Sequence, residues 1–234
     1  MNIATPIIAE FGTILLTAAI AYAGVKTYGK EKTIFFLLGA VLWSGLLENL
    51  SVLQGSYNYY AYKGMFGSWF QGYFFWLGLA PLWIELAWGV VALSLFIIIR
   101  EVLLPGKSSV LQAAIAGLLA VNMDIIIDPI AVASKLWEWL IPSIYVLGVP
   151  LHNWVGWFMV VFFYYLIFDY TILDNRPMFI LGRIERFFLP SRSSLGVKIA
   201  RFAFRIIVTN FFVTIVLTIM QDGLAILSHM LVVG

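Results

Sequence analysis

Six apolar stretches, each roughly 20 residues or longer, alternate along the chain with polar connections. At about 1.5 Å of rise per residue, each can cross about 30 Å of hydrocarbon as a helix. Their limits are read as 5–25, 33–53, 73–99, 110–132, 149–170 and 203–227. The pattern predicts an all-α, polytopic integral membrane protein with six transmembrane helices, organised as one domain over residues 1–234. No internal repeat is apparent in the letters. The first stretch lacks a basic start and exceeds the apolar region of a cleavable signal, so it is expected to remain as a helix.

The basic residues set the expected orientation. Lys26, Lys30 and Lys32 fall in the first connection and Arg100 and Lys107 in the third. Arg176, Arg183, Arg186, Arg192, Lys198, Arg201 and Arg205 fall in or beside the fifth, and only Lys63 and Lys135 in the second and fourth. Because Lys and Arg are retained on the cytoplasmic side, the odd connections are expected there and both termini on the extracytoplasmic side. In the longest cytoplasmic connection, Met178-Phe179-Ile180-Leu181 and Ile184, Phe187, Phe188 and Leu189 are interrupted by Arg183, Glu185 and Arg186. This predicts an amphipathic helix on the membrane surface with its arginines toward headgroups.

Composition sharpens the class. The chain is 62% hydrophobic and 11% charged, where a soluble domain has roughly 45–50% and about 25%. With no cysteine, disulfides, thiolate metal sites and a Cys nucleophile are excluded. Two histidines, His152 and His229, are too few for a His-rich cage, and His152 reads as an interfacial or hydrogen-bonding residue. No metal, no cofactor and no nucleic-acid partner is expected. Membrane lipids are the expected surroundings, in a multi-pass protein of the cell membrane.

The residues that break the apolar pattern carry the chemistry. Asp124 and Asp128 stand one helical turn apart on one face of the fourth stretch. A carboxylate in hydrocarbon is costly, so two at that spacing are expected to face a protein interior with partners or to share a proton. By the same depth reading, Glu48, Asn153 and Asp222 lie near the outer ends of the second, fifth and sixth stretches, with Glu85 nearer the middle of the third. Five helices would then line one cavity in the outer half, the inner halves being almost wholly apolar. Each residue also has a purely structural reading. Glu48 beside Asn49, or Asp222 beside Gln221, would serve as hydrogen-bonded helix glue. Asp128 before Pro129 would cap a helix that ends or kinks there, and Asp169 and Asp174 would be surface partners of Arg176. Tyr57, Tyr59, Tyr60, Tyr62, Phe66, Trp69, Phe70, Tyr73, Phe74, Phe75 and Trp76 form either an interfacial belt or the cover of a pocket.

Asp124-x-x-x-Asp128-Pro129, followed by Trp137-x-Trp139 and by Gly148-x-Pro150-Leu151-x-Asn153-x-x-Gly156-Trp157, resembles the carotenoid hydratase family of archaea and bacteria, bisanhydrobacterioruberin hydratase-like membrane proteins of carotenoid biosynthesis. Glu48 with Gly55 and the Tyr57/Tyr59/Tyr60 group, and Pro81-Leu82 with Leu86-Ala87-Trp88, are similar to that family's upstream pattern. The resemblance covers Glu48 to Trp157. It implies a cofactor-free membrane hydro-lyase that adds water across the terminal double bond of an acyclic carotenoid, giving a tertiary alcohol. The sequence departs from the family's pattern at Glu85, where an apolar residue or proline is expected, and this leaves the usual carotenoid or another polyprenyl lipid as substrate.

Hydrating a trisubstituted alkene needs a proton donor, a site tolerant of a tertiary cation, and a placed water. Two close carboxyls in low dielectric cannot easily both ionise, so one stays protonated and serves as the acid. Asp124 or Asp128 is expected to protonate the alkene, the other or Glu48 to deprotonate water, and Asn153 to hold that water. Faces of Tyr57, Tyr59, Tyr60, Trp154 or Trp157 would stabilise the cation at roughly 0.5–2 kcal/mol each, with Glu85 among the substrate-binding residues. A proton-initiated isomerase or cyclase, and a small proton or cation transporter, are the competing readings; the apolar inner halves argue against transport.

Overall fold

The computed structural model describes residues 4–59, 75–174, 176–178, 181–188 and 194–233, and among these it has seven helices and three short antiparallel strand pairs. In chain order these are α1 (Ala4–Tyr28), α2 (Lys30–Leu53), β1 (Tyr57–Tyr59), β2 (Trp76–Leu77), β3 (Ala80–Pro81) and α3 (Leu82–Ile97). They continue as α4 (Ser109–Ala133), β4 (Trp137–Trp139), β5 (Tyr145–Val146), β6 (Val149–Pro150), α5 (Leu151–Phe168), α6 (Leu181–Phe188) and α7 (Leu195–Val233). Two of the helices, α3 and α5, widen into π-helical turns at Ile98–Leu103 and Asp169–Leu173. Among the described residues, six helical segments are long and apolar enough to cross a membrane: Ile8–Tyr28, Lys30–Leu53, Leu82–Leu103, Ser109–Ala133, Leu151–Leu173 and Leu195–Met230. The predicted polytopic all-α architecture is therefore the observed one.

Its boundaries correct the sequence reading in three places. The third helix starts at Leu82, not at 73, because residues 76–81 form a hairpin that turns at Gly78 (φ +71°) and ends at Pro81, whose missing N–H suits a helix start. The fourth helix neither ends nor is capped at Asp128; it runs through Pro129 to Ala133. The last helix begins at Leu195 rather than 203.

A repeat, hidden in the sequence, organises the molecule. From α2 to α3, and again from α4 to α5, the chain makes the same series: helix, positive-φ residue (Gly55, Lys135), aromatic-polar-aromatic strand (β1, β4), β-hairpin (β2–β3, β5–β6), proline (Pro81, Pro150), helix, π-turn. The strands β1 and β4 pair with Tyr57 opposite Trp139, Asn58 opposite Glu138 and Tyr59 opposite Trp137, a register that exchange of the two halves leaves unchanged. Equivalent residues also meet directly where α3 crosses α5. The Trp88 and Trp157 rings lie 4.3 Å apart, Phe96 and Tyr165 also 4.3 Å apart, and Arg100 is ion-paired with Asp169. These contacts trace an approximate twofold axis running along α3 and α5. Helix α1 packs outside α2 and α3, and α7 covers α2 and α5.

The core follows from this packing. Phe36, Trp43, Phe96, Tyr164 and Phe168 are buried together, and the backbone of α2 is tied to its neighbours by Trp43 Nε1 donating to the Val160 carbonyl (3.1 Å) and Asn210 donating to the Trp43 carbonyl (2.8 Å). Small residues let the helices approach, as is usual between membrane helices. A Cβ on Gly117 of α4 would lie 3.0 Å from the Phe158 carbonyl oxygen of α5. Gly117→Val is therefore expected to push α4 off α5, costing about 1–3 kcal/mol, and to lower the melting temperature in detergent; an unchanged melting curve contradicts this packing.

The end remote from the site is polar, contrary to the expectation of apolar inner halves. Asp169 is fully buried, not a surface group; it accepts from Arg100 and from Arg176 (3.1 Å), and Arg176 also reaches Asp174 (3.1 Å) and Ser109 (2.6 Å). The equally buried Arg205 of α7 grips Glu185 of α6 and donates to Thr171 Oγ1 (2.9 Å). The amphipathic segment does contain the helix α6, with Arg183 exposed, but Glu185 anchors it to α7. Phe179, Ile180 and Leu189 lie outside the described residues.

Candidate active site

At the other end of the repeat, a cavity of about 130 Å³ opens between α3, α4 and the paired strands. Most of its wall is apolar: Trp83, Ile84, Ala87 and Val91 from α3, Ile127 from α4, and the strand rings Tyr57, Tyr59, Trp137 and Trp139. Three polar groups break that wall. They are Glu48 from the last turns of α2, Asp128 from α4 and Asn153 from the first turn of α5.

The halves of the repeat deliver the two acids, since Glu48 and Asp128 each precede the positive-φ residue (Gly55, Lys135) by the same spacing. Glu48 sits in a cradle of donors. Tyr59 Oη donates to Oε2 at 2.8 Å, Tyr57 Oη donates to the same oxygen, and Trp88 Nε1 donates to Oε1 at 2.8 Å. The two phenols remain donors, because burial first, and then the neighbouring Glu48 charge, raises both well above the ordinary tyrosine range. A carboxylate, which only accepts, matches three donors.

On the opposite wall, Asp124 and Asp128 are both buried and in contact with each other. A single nitrogen clamps them: Asn153 Nδ2 donates to Asp124 Oδ2 at 2.8 Å and to Asp128 Oδ2 at 2.6 Å. Only Asp128 lines the cavity; Asp124 stands one turn behind it. The anticipated convergence of Glu48, Asp124, Asp128 and Asn153 is thus present in the structure.

Other expectations are revised. Glu85, read as mid-membrane and substrate-binding, occupies the first turn of α3, fully buried against Gly45 and Ser44 of α2, and does not line the cavity. Its depth was misjudged because the hairpin moved the helix start. Asp222 is exposed on α7, and its neighbour Gln221 points inward instead, accepting from Ser56 Oγ at 2.9 Å. Trp154 is absent from the cavity wall, whereas Trp157, Tyr57 and Tyr59 form part of it. Tyr60, with most of the aromatic run, lies outside the described residues. Trp83, Trp88, Trp137 and Trp139 belong to the wall but were not anticipated there. Trp88 could have been found from its spacing to Pro81, which matches that of Trp157 to Pro150.

Fold and site together define a polytopic helical membrane protein that holds acids in an aromatic cavity. Residues 9–232 match the family model described as carotenoid biosynthesis protein, and the chain belongs to that family, with a role in carotenoid biosynthesis. No curated protein and no solved structure matches it.

Proposed function

We propose that the protein is a hydro-lyase that adds water across the terminal carbon–carbon double bond of an acyclic carotenoid, leaving a tertiary alcohol. The observation that carries this reading is the pairing of a clamped Asp124–Asp128 couple with a separately cradled Glu48 on the wall of one apolar, aromatic cavity. The polyene end enters from lipid between α3 and α4, past Ile127, and stops among the aromatic rings.

Asp128 is the acid, because it reaches the cavity while Asp124 and Asn153 hold its orientation and keep one proton in the couple. The alkene's π pair takes that proton, leaving the Asp128 carboxylate and a tertiary cation. The faces of Trp88, Trp157 and Tyr57 stabilise the cation by roughly 0.5–2 kcal/mol each; the fixed carboxylates contribute the larger electrostatic part. Water attacks the cation and gives its surplus proton to Glu48. Return of that proton to the Asp couple closes the cycle, with one alkene and one water consumed per alcohol formed.

Expression in a lycopene-making host tests the reading. The expected product is heavier than its precursor by one water at one or both ends. A product of unchanged mass points instead to isomerisation or cyclisation, and unaltered lycopene argues against any reaction at this end group.

A further inference from the structure

The repeat duplicates the cavity as well as the helices. Beside the first cavity lies a second of about 80 Å³, between α2, α5 and α7, and the two share Glu48, Tyr57, Trp88, Trp139, Asn153 and Trp157 as a common wall. Under the exchange of halves, the second cavity's Leu47, His152, Gly156 and Val160 stand where the first has Ile127, Trp83, Ala87 and Val91. On that shared frame the second copy has become polar. Ser51 replaces Ala131, Ser56 replaces Leu136, His152 replaces Trp83 and Asn153 replaces Ile84. Helix α7, which has no counterpart in the repeat, adds Thr214, Thr218 and Gln221.

Three buried polar atoms on this second lining find no protein partner: His152 Nδ1, Trp139 Nε1 and Thr214 Oγ1. A buried donor or acceptor left unpaired is destabilising, and a polar site of this kind is normally completed by water. His152 is itself 6% exposed, so bulk solvent does not reach it directly. Gln54 marks an exposed rim, and Glu48 and Asn153 mark the seam with the apolar cavity.

We infer that the second cavity is the water chamber of the enzyme: it binds a short file of waters and passes one across the Glu48–Asn153 seam to the cation formed in its apolar twin. This rests on the hydratase reading. Duplication of one frame separates the two reactants, so the polyene meets a dry wall and water arrives from the side of the base. The water's oxygen bonds to the cationic carbon and its proton leaves to Glu48. When no water arrives, the cation returns a proton from the adjacent carbon to the Asp128 carboxylate and the alkene is restored.

The test uses the full-length protein in membranes with lycopene in D2O, following both alcohol formation and deuterium in recovered lycopene. Thr214→Val with Gln221→Leu removes two of the three polar groups that α7 gives the chamber, at nearly constant volume, and touches neither acid. Alcohol formation is expected to fall at least tenfold, while deuterium incorporation stays within twofold of wild type or rises. Thr214→Ser, which keeps the hydroxyl, is expected to hydrate within twofold of wild type. Should the double variant not fold, His152→Phe carries the same comparison. Undiminished alcohol formation overturns the proposal, as does a parallel loss of both signals in a folded protein. If the wild type forms alcohol and only the variants behave unexpectedly, the chamber assignment alone falls; if the wild type forms none, the hydratase reading falls and takes the chamber with it.

Discussion

Asp128→Asn is expected to reduce alcohol formation by on the order of 10²–10⁴-fold, the usual contribution of a placed general acid, without removing the protein from the membrane. Asn is nearly isosteric, and its amide oxygen can still accept from Asn153 Nδ2, which now donates to Asp128 Oδ2 at 2.6 Å. The loss therefore reports the missing acidic proton rather than a collapsed clamp. Deuterium incorporation into recovered lycopene should vanish with it, since no cation forms. Asp124→Asn is expected to lower both signals too, because the couple then lacks the second carboxyl that keeps a proton between them. Near-normal turnover in both variants, measured as alcohol per protein in folded samples, removes the Asp couple from the chemistry.

Sequence reading reached the acids because a carboxyl inside an apolar stretch has few structural excuses. Asp124, Asp128 and Glu48 are legible for that reason, Asn153 as an amide at similar depth, and the six long helices from their apolar length. What stayed hidden depended on rotation and register. Asp222 and Gln221 differ by one position, which is about 100° around a helix, and only packing of α7 against α2 decides that Gln221 turns inward to Ser56. Glu85 was placed too deep because the strand pairs at 76–81 and 145–150 are too short to leave a periodic signal, yet they set where α3 and α5 begin. The repeat is not legible in the letters because equivalent positions differ, Glu48 against Asp128, Gly55 against Lys135 and Tyr57 against Trp137. The connection between strand and hairpin is also much longer in the first half, which shifts the spacing partway through. Burial of Asp169 and Arg205 is not legible because charged residues near a membrane face read as surface groups; only the fold shows them paired.

Glu48→Gln separates the base from the acid. Every donor around Glu48, from Tyr57, Tyr59 and Trp88, points at a carboxylate oxygen. A glutamine amide offers one acceptor oxygen and one N–H₂; with the oxygen on Trp88 the N–H₂ meets the phenol oxygens, whose protons lose their acceptor, and the group can no longer take a proton from water. Alcohol formation is expected to fall by about 10²-fold or more, because the cation still forms at Asp128 but the attacking water has nowhere to leave its proton. Deuterium incorporation should persist, since protonation and its reversal need only the Asp couple. The contrast with Asp128→Asn, in which both signals disappear, is the decisive comparison. If Glu48→Gln instead erases deuterium incorporation as completely as Asp128→Asn does, Glu48 belongs to the proton-donating group and the direction of proton flow across the cavity must be reversed.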